Sequence, residues 1–69
     1  MEIKLGEYEH FKGKRYEVLG VAKHSETLEE LVVYQALYEG RQIWARPINM
    51  FFDEVEFDGV KRPRFKFIK

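Results

Sequence analysis

Short apolar runs separated by turn-forming residues set the pattern of this chain. "YEHF", "KRYEVLGVAKH", "LVVYQALY", "RQIWARPI", "VEF" and "RFKF" are rich in Val, Ile, Tyr and Phe. Lys12-Gly13-Lys14, Gly20, Glu39-Gly40 and Asp58-Gly59 punctuate them. Strand-length runs with turn signals at such intervals read as a small antiparallel β domain. The first hairpin turns at Gly13. In its second strand Tyr16 and Val18 share one parity and Val21 the other, so Gly20 marks an expected bulge that reverses the core-facing side. The last hairpin is expected to place Asp58-Gly59 between Val55/Phe57 and Phe65/Phe67, with the two turn residues at positive φ. Pro63 has no N–H, so the returning strand is expected at an edge or bulged there.

The segment "SETLEELVVYQALYEG" reads two ways. Thr27 and Glu30 fit a capping box, Leu28, Leu31 and Val32 share a helical face, and Gly40 fits a helix end. Against that, Val32, Val33 and Tyr34 sit in a continuous apolar run with β signals. The other elements are strands, and "RQIWARPI" needs a partner. A turn over 25–30 and a strand over 31–38 are therefore expected, with Glu39-Gly40 as the hairpin turn. Two apolar faces on that strand leave open whether Leu31, Val33 and Leu37 or Val32, Tyr34 and Tyr38 point inward. Pro47 suits the start of a helical turn. "PINMFFD" is read as one such turn that aims Met50 and Phe51 inward.

At 69 residues the chain is expected to be one domain, residues 1–69. A domain this small buries only about 60% of the surface its unfolded chain exposes. There is no cysteine to add a disulfide or a thiolate metal site. The 16% aromatic content is the expected compensation. Twelve basic and twelve acidic residues balance. Five of the basic ones lie in the acid-free "KRPRFKFIK" at 61–69, and residues 1–58 hold seven basic and twelve acidic ones. A basic last strand beside acidic neighbours is the expected explanation; a nucleic-acid contact is the rival. "MEIKLGEYEH" has no signal-peptide core and no run approaches a membrane span, so a cytoplasmic location without membrane contact is expected.

Little in the chain supports catalysis. His10 and His24 are the only histidines, with no H-x-x-x-H spacing, so no metal and no cofactor are expected. Ser25 adjoins His24, but neighbours on a strand point to opposite faces. "HSET" reads instead as a turn in which the Ser25, Glu26 and Thr27 side chains bond backbone N–H groups. The glycines are scattered singly, so no phosphate loop is present.

"YEHFKGKRYEVLGVAKHSET", "LVVYQALY", "WARPINMF" and "PRF", in that order from about Gly6 to Phe65, resemble the bacterial family called domain of unknown function 1653. The resemblance implies a small β-barrel similar to the SH3-type barrels. It assigns no activity, and it favours strand over helix in the ambiguous segment. The expected fold is thus all-β, an SH3-like barrel of about five antiparallel strands with one short helical turn near Pro47–Phe52. His10, His24, Glu26, Arg46 and Arg64 are polar members of this pattern that core packing does not require. With Tyr34 and Trp44 they are the candidate ligand-binding residues. Trp44 and Arg46 share strand parity, and a guanidinium beside an indole can stack or offer a planar fork to carboxylate or phosphate. The structural alternative pairs Arg46 with Glu26 or Glu29.

The expected function is a non-catalytic binding or interaction module for an unknown protein or small ligand, as a monomer or weak homodimer. The alternatives are a nucleic-acid-binding β-barrel using the basic C-terminal strand, and a small enzyme or catalytic accessory domain.

Overall fold

The computed structural model describes residues 3–69. In order it forms β1 (Gly6–His10), β2 (Arg15–Lys23), β3 (Glu30–Ala36), β4 (Ile43–Pro47), α1 (Ile48–Phe51), β5 (Glu54–Phe57), β6 (Val60–Pro63) and β7 (Phe65–Phe67). The larger sheet is antiparallel with strand order β4-β3-β2-β1-β7, and β5-β6 is a separate two-stranded sheet. This is the small all-β fold with one short helical turn that the residue pattern implied. Among the described residues no ladder joins the edges β4 and β7.

The bulge near Gly20 is present. Register runs from Val18↔Tyr34 to Gly20↔Val33, leaving Leu19 as the extra residue. Val21 consequently stands opposite Val32 and joins the face that Val18 shares with Tyr34. The bulge reverses the facing side as expected, but Val21 remains 40% exposed there, so only Val18 of this pair is buried.

The ambiguous segment is a turn followed by a strand. Leu28 has φ +64°, a left-handed value incompatible with a continuing helix. The His24 N–H donates to the Glu29 carbonyl, and the Leu28 N–H to the His24 carbonyl, each at 2.8 Å. In β3, Val32, Tyr34 and Ala36 are buried and Leu31 and Val33 are half-buried, so the Val32/Tyr34 parity faces the core. The strand ends at Ala36 rather than at 38. Beyond it the Arg41 N–H donates to the Tyr38 carbonyl, 3.0 Å, in the return to β4.

Two expectations need correction. In α1, Phe51 is fully buried but Met50 is 48% exposed. One turn of helix can aim only part of its circumference at the sheet, and Phe51 takes that place. The last hairpin closes on Val60–Pro63, not on Phe65 and Phe67. Asp58 and Gly59 do occupy positive φ, +55° and +75°. Pro63 ends β6, which among the described residues pairs with β5 alone and so lies at an edge. The chain then leaves the small sheet and joins β1 as β7, with His10↔Phe65 and Tyr8↔Phe67.

Tyr8, Val18, Val32, Tyr34, Phe51 and Phe65 form the core cluster. Phe51 and Phe65 stack face to face, with centroids 4.2 Å apart and planes at 4°. Tyr34 meets both edge-on, at 5.4 and 5.3 Å. Full burial of such a side chain contributes roughly 1.5–3 kcal/mol. The Tyr8 hydroxyl donates to the Lys4 carbonyl, 2.8 Å, so its polar end is satisfied. Aromatic stacking across the sheet thus holds α1 and β7 over the same floor.

Candidate functional site

Antiparallel partners share a face, so the register decides what converges. Tyr34 stands opposite Trp44, and Val32 opposite Arg46. Trp44 and Arg46 therefore lie on the core-facing side of β4, beyond the packed floor. There, with His10, Tyr16, Tyr34 and Phe65, they line a cleft of about 200 Å³. Four of the seven residues singled out from sequence meet in it: His10, Tyr34, Trp44 and Arg46.

Each wall is differently constrained. Tyr34 is buried and Trp44 is 50% exposed. Among the described residues Trp44 pairs with no other aromatic ring, and no cation lies over its indole. Arg46 is half-buried, and its Nε–H donates to the Tyr34 hydroxyl at 3.4 Å. The expected alternative, an ion pair with Glu26 or Glu29, is not found among the described residues; Arg46 stands opposite Val32 and its Nε–H is directed at the Tyr34 hydroxyl instead. No ion pair of Arg46 is found among the described residues.

His10 is wedged between rings, with centroids 4.4 Å from Phe11 and 5.0 Å from Phe65. The Lys12 N–H donates to its Nδ1, 3.2 Å, so a neutral imidazole keeps its proton on Nε2. Burial lowers its pKa below 6.5, helped by the positive charges of Arg64, Lys12 and Arg46. The Tyr16 hydroxyl shares a hydrogen bond of 2.6 Å with Tyr38. Burial and this bond raise the Tyr16 pKa well above 10.

The other three candidates lie elsewhere. Arg64 binds Asp53 through Nε and Nη2, at 2.6 and 3.2 Å. That bond holds the Asp53 carboxyl below its usual 3.8 and fastens the start of β7 to the chain leading into β5. His24 and Glu26 are exposed and line neither cleft. The 24–29 turn forms as expected, with Thr27 in its expected part and His24 in place of Ser25 and Glu26. His24 Nδ1 accepts from the Glu26 and Thr27 N–H groups at 3.1 and 3.4 Å. Thr27 Oγ1 accepts from the Glu29 N–H at 3.2 Å. Among the described residues Ser25 and Glu26 contribute no side-chain bond there.

Tyr16, Phe65 and Asp53 were not singled out from sequence. The first two look like ordinary core residues, and only the β1–β7 pairing brings Phe65 beside His10. A second cleft of about 520 Å³, lined in part by His10, Phe11, Arg62 and Lys66, shares His10 as its wall with the first. The basic C-terminal segment is split between the sheets. Lys66 stands opposite Glu9, and Lys61 opposite Glu56. Among the described residues no three His, Cys, Asp or Glu side chains cluster as a metal site, and no helix is long and apolar enough to cross a membrane.

The model of the family described as "protein of unknown function (DUF1653)" matches residues 6–67. A crystal structure of a protein of that family from Bordetella bronchiseptica is similar, with a TM-score of 0.90 and 33% identity. The alignment covers 97% of this chain and 88% of that one. No curated protein matches the chain.

Proposed function

The chain belongs to the DUF1653 family, whose description assigns no activity, and we propose that it is a non-catalytic binding module whose ligand seats in the His10–Tyr34–Trp44–Arg46 cleft. The observation that carries this reading is the convergence, over an aromatic floor, of a half-exposed indole and a guanidinium that makes no ion pair among the described residues. Sites of recognition combine an apolar wall with a few placed polar groups. A cleft open on a packed sheet provides both, with little ordering of the wall required on binding.

The enzyme alternative finds less support. The two imidazoles stand at opposite ends of β2. No carboxylate lines the Trp44–Arg46 cleft as an acid–base partner, and Glu9, in the larger cleft on which His10 also borders, stands 3.8 Å from Arg15. The nucleic-acid alternative is also disfavoured, because Lys61 and Lys66 face acids across their ladders. Binding driven by phosphate neutralisation needs basic groups free of such neighbours.

The test is a fragment screen on the 15N-labelled chain, with fragments of every charge class. Trp44 is the only tryptophan, so its indole N–H gives a single resonance. Hits are expected to move that resonance together with the amides of His10, Tyr34 and Arg46. A screen in which no fragment moves Trp44, or in which hits gather on another surface, overturns the reading.

A further inference from the structure

Taking the cleft as the binding site, we infer that it takes a flat unsaturated ring bearing a carboxylate or phosphate, with the ring against Trp44 and the anion on Arg46.

Charge selects the sign of the guest. None of the six lining residues is acidic, and Arg46 supplies a fixed positive charge. Boxes of aromatic rings commonly hold cations over their π faces. Here a cation would meet a guanidinium with no carboxylate in the wall to offset it, so the aromatic lining alone would mislead. Arg64 does not change the balance against an anion, because Asp53 neutralises it.

Donor geometry selects the chemical type. A guanidinium has five N–H donors in a fixed plane, and the Arg46 Nε–H is directed at the Tyr34 hydroxyl. The two terminal nitrogens have no ion-pair partner among the described residues. They match the paired oxygens of a carboxylate or phosphate. His10 faces the same cleft with Nδ1 occupied by Lys12, leaving Nε2–H as a neutral donor.

Size and shape select the remainder. A cleft of about 200 Å³ lies below the ~300 Å³ at which pockets begin to enclose a drug-sized ligand. It has room for one ring and its anionic substituent, with any larger ligand projecting outward. The half-exposed Trp44 offers that ring an indole face that no protein ring occupies. Ring stacking tolerates many ring types, whereas the paired donors discriminate the anion.

The experiment titrates the 15N-labelled chain and follows the Trp44 indole N–H and the Arg46 Nε–H. Benzoate and adenosine 5′-monophosphate supply the two sources of anion. Benzyl alcohol and adenosine are their neutral counterparts, inorganic phosphate is the anion without a ring, and choline is the cation. Benzoate or adenosine monophosphate is expected to move both signals at about tenfold lower concentration than its neutral counterpart. The tighter of the two identifies the source. Arg46→Gln is expected to abolish that preference, and Arg46→Lys to keep part of it.

Neutral rings that bind as well as anionic ones, or choline binding best, overturn the inference while leaving the cleft as a binding site. Inorganic phosphate equal to adenosine monophosphate removes the ring requirement and overturns it too. If neither these probes nor any fragment moves Trp44, the binding-module reading falls with it. The preference among probes is read on the unaltered chain, so the test survives a variant that fails to fold.

Discussion

The two histidines close turns with the same local bond in different surroundings. His10 Nδ1 accepts from the N–H of Lys12, and His24 Nδ1 from the N–H of Glu26, in each case two residues on. At the His10 end, β7 arrives from the far end of the sequence and sets Phe65 against the imidazole, while β4 supplies Trp44 and Arg46. At the His24 end residues 24–29 are exposed, and among the described residues the hydrogen bonds of the turn are all internal to it. Identical turn chemistry therefore yields a cleft in one place and a solvated turn in the other. What separates them is the strand pairing laid over the turn.

The sharpest way to break this comparison is to remove the floor at one end only. Phe65→Ala is expected to cost about 3–5 kcal/mol, because it deletes the ring that stacks on Phe51 and borders His10. Total stability for a chain this size is roughly 3–10 kcal/mol, so partial unfolding at room temperature is expected. Leu28→Ala, at an exposed position of the opposite turn, is expected to stay within about 0.5 kcal/mol. Urea denaturation of the two variants measures the contrast, and equal losses would contradict it.

The Arg64–Asp53 bond ties β7 to the chain entering β5, and Asp53→Asn is expected to cost about 1 kcal/mol after allowance for solvent screening. Arg64 lowers the Asp53 pKa below 3.8. Its contribution is thus present above pH 3.8 and lost as pH falls through the lowered folded value. Denaturation midpoints of wild type and variant should converge on acidification, and a gap that persists below that window would exclude the ion pair as its source.

His10 supplies a smaller, pH-linked effect. Burial and then the charges of Arg64, Lys12 and Arg46 lower its pKa from 6.5, so folding favours the neutral ring. The stability this brings is complete above pH 6.5 and is lost as pH falls through the lowered folded value. An NMR titration of the imidazole should give a midpoint below 6.5. A midpoint at or above that value would mean that the ring is not held among aromatics and cations as described.

The smallest effect is expected from His24→Ala. It removes an acceptor for two exposed N–H groups that water can replace, at about 0.5 kcal/mol. The resonance of Trp44 should not move, since no residue of the turn lines the cleft.

Local chemistry made much of the molecule legible in advance. Asp58-Gly59 marked its turn because both residues tolerate positive φ. Gly20 marked the bulge because Val18 and Val21 otherwise oppose each other in parity. Pro47 marked the approach to α1, although it ends β4 as the residue before the helix, with ψ 139°, and Ile48 takes the first helical position. The convergence of Trp44 with Arg46 was readable as strand parity, and half of the candidate site followed from it. The destination of Phe65 was not readable. "VEFDGVKRPRFKF" looks like one long hairpin, and nothing within it says that the chain leaves β6 after Pro63 to pair with β1.

The amino-acid pattern by itself determined an all-β chain, its turns and which side chains share a face, since these depend on dihedral preference and a two-residue period. Only the tertiary structure decided that His10 joins Trp44 and Arg46 while His24 and Glu26 stand apart, and that Arg64 is engaged by Asp53. Contacts between residues distant in sequence depend on which ladder forms, and the aromatic stacking of Phe51 on Phe65 rewards one pairing over the others.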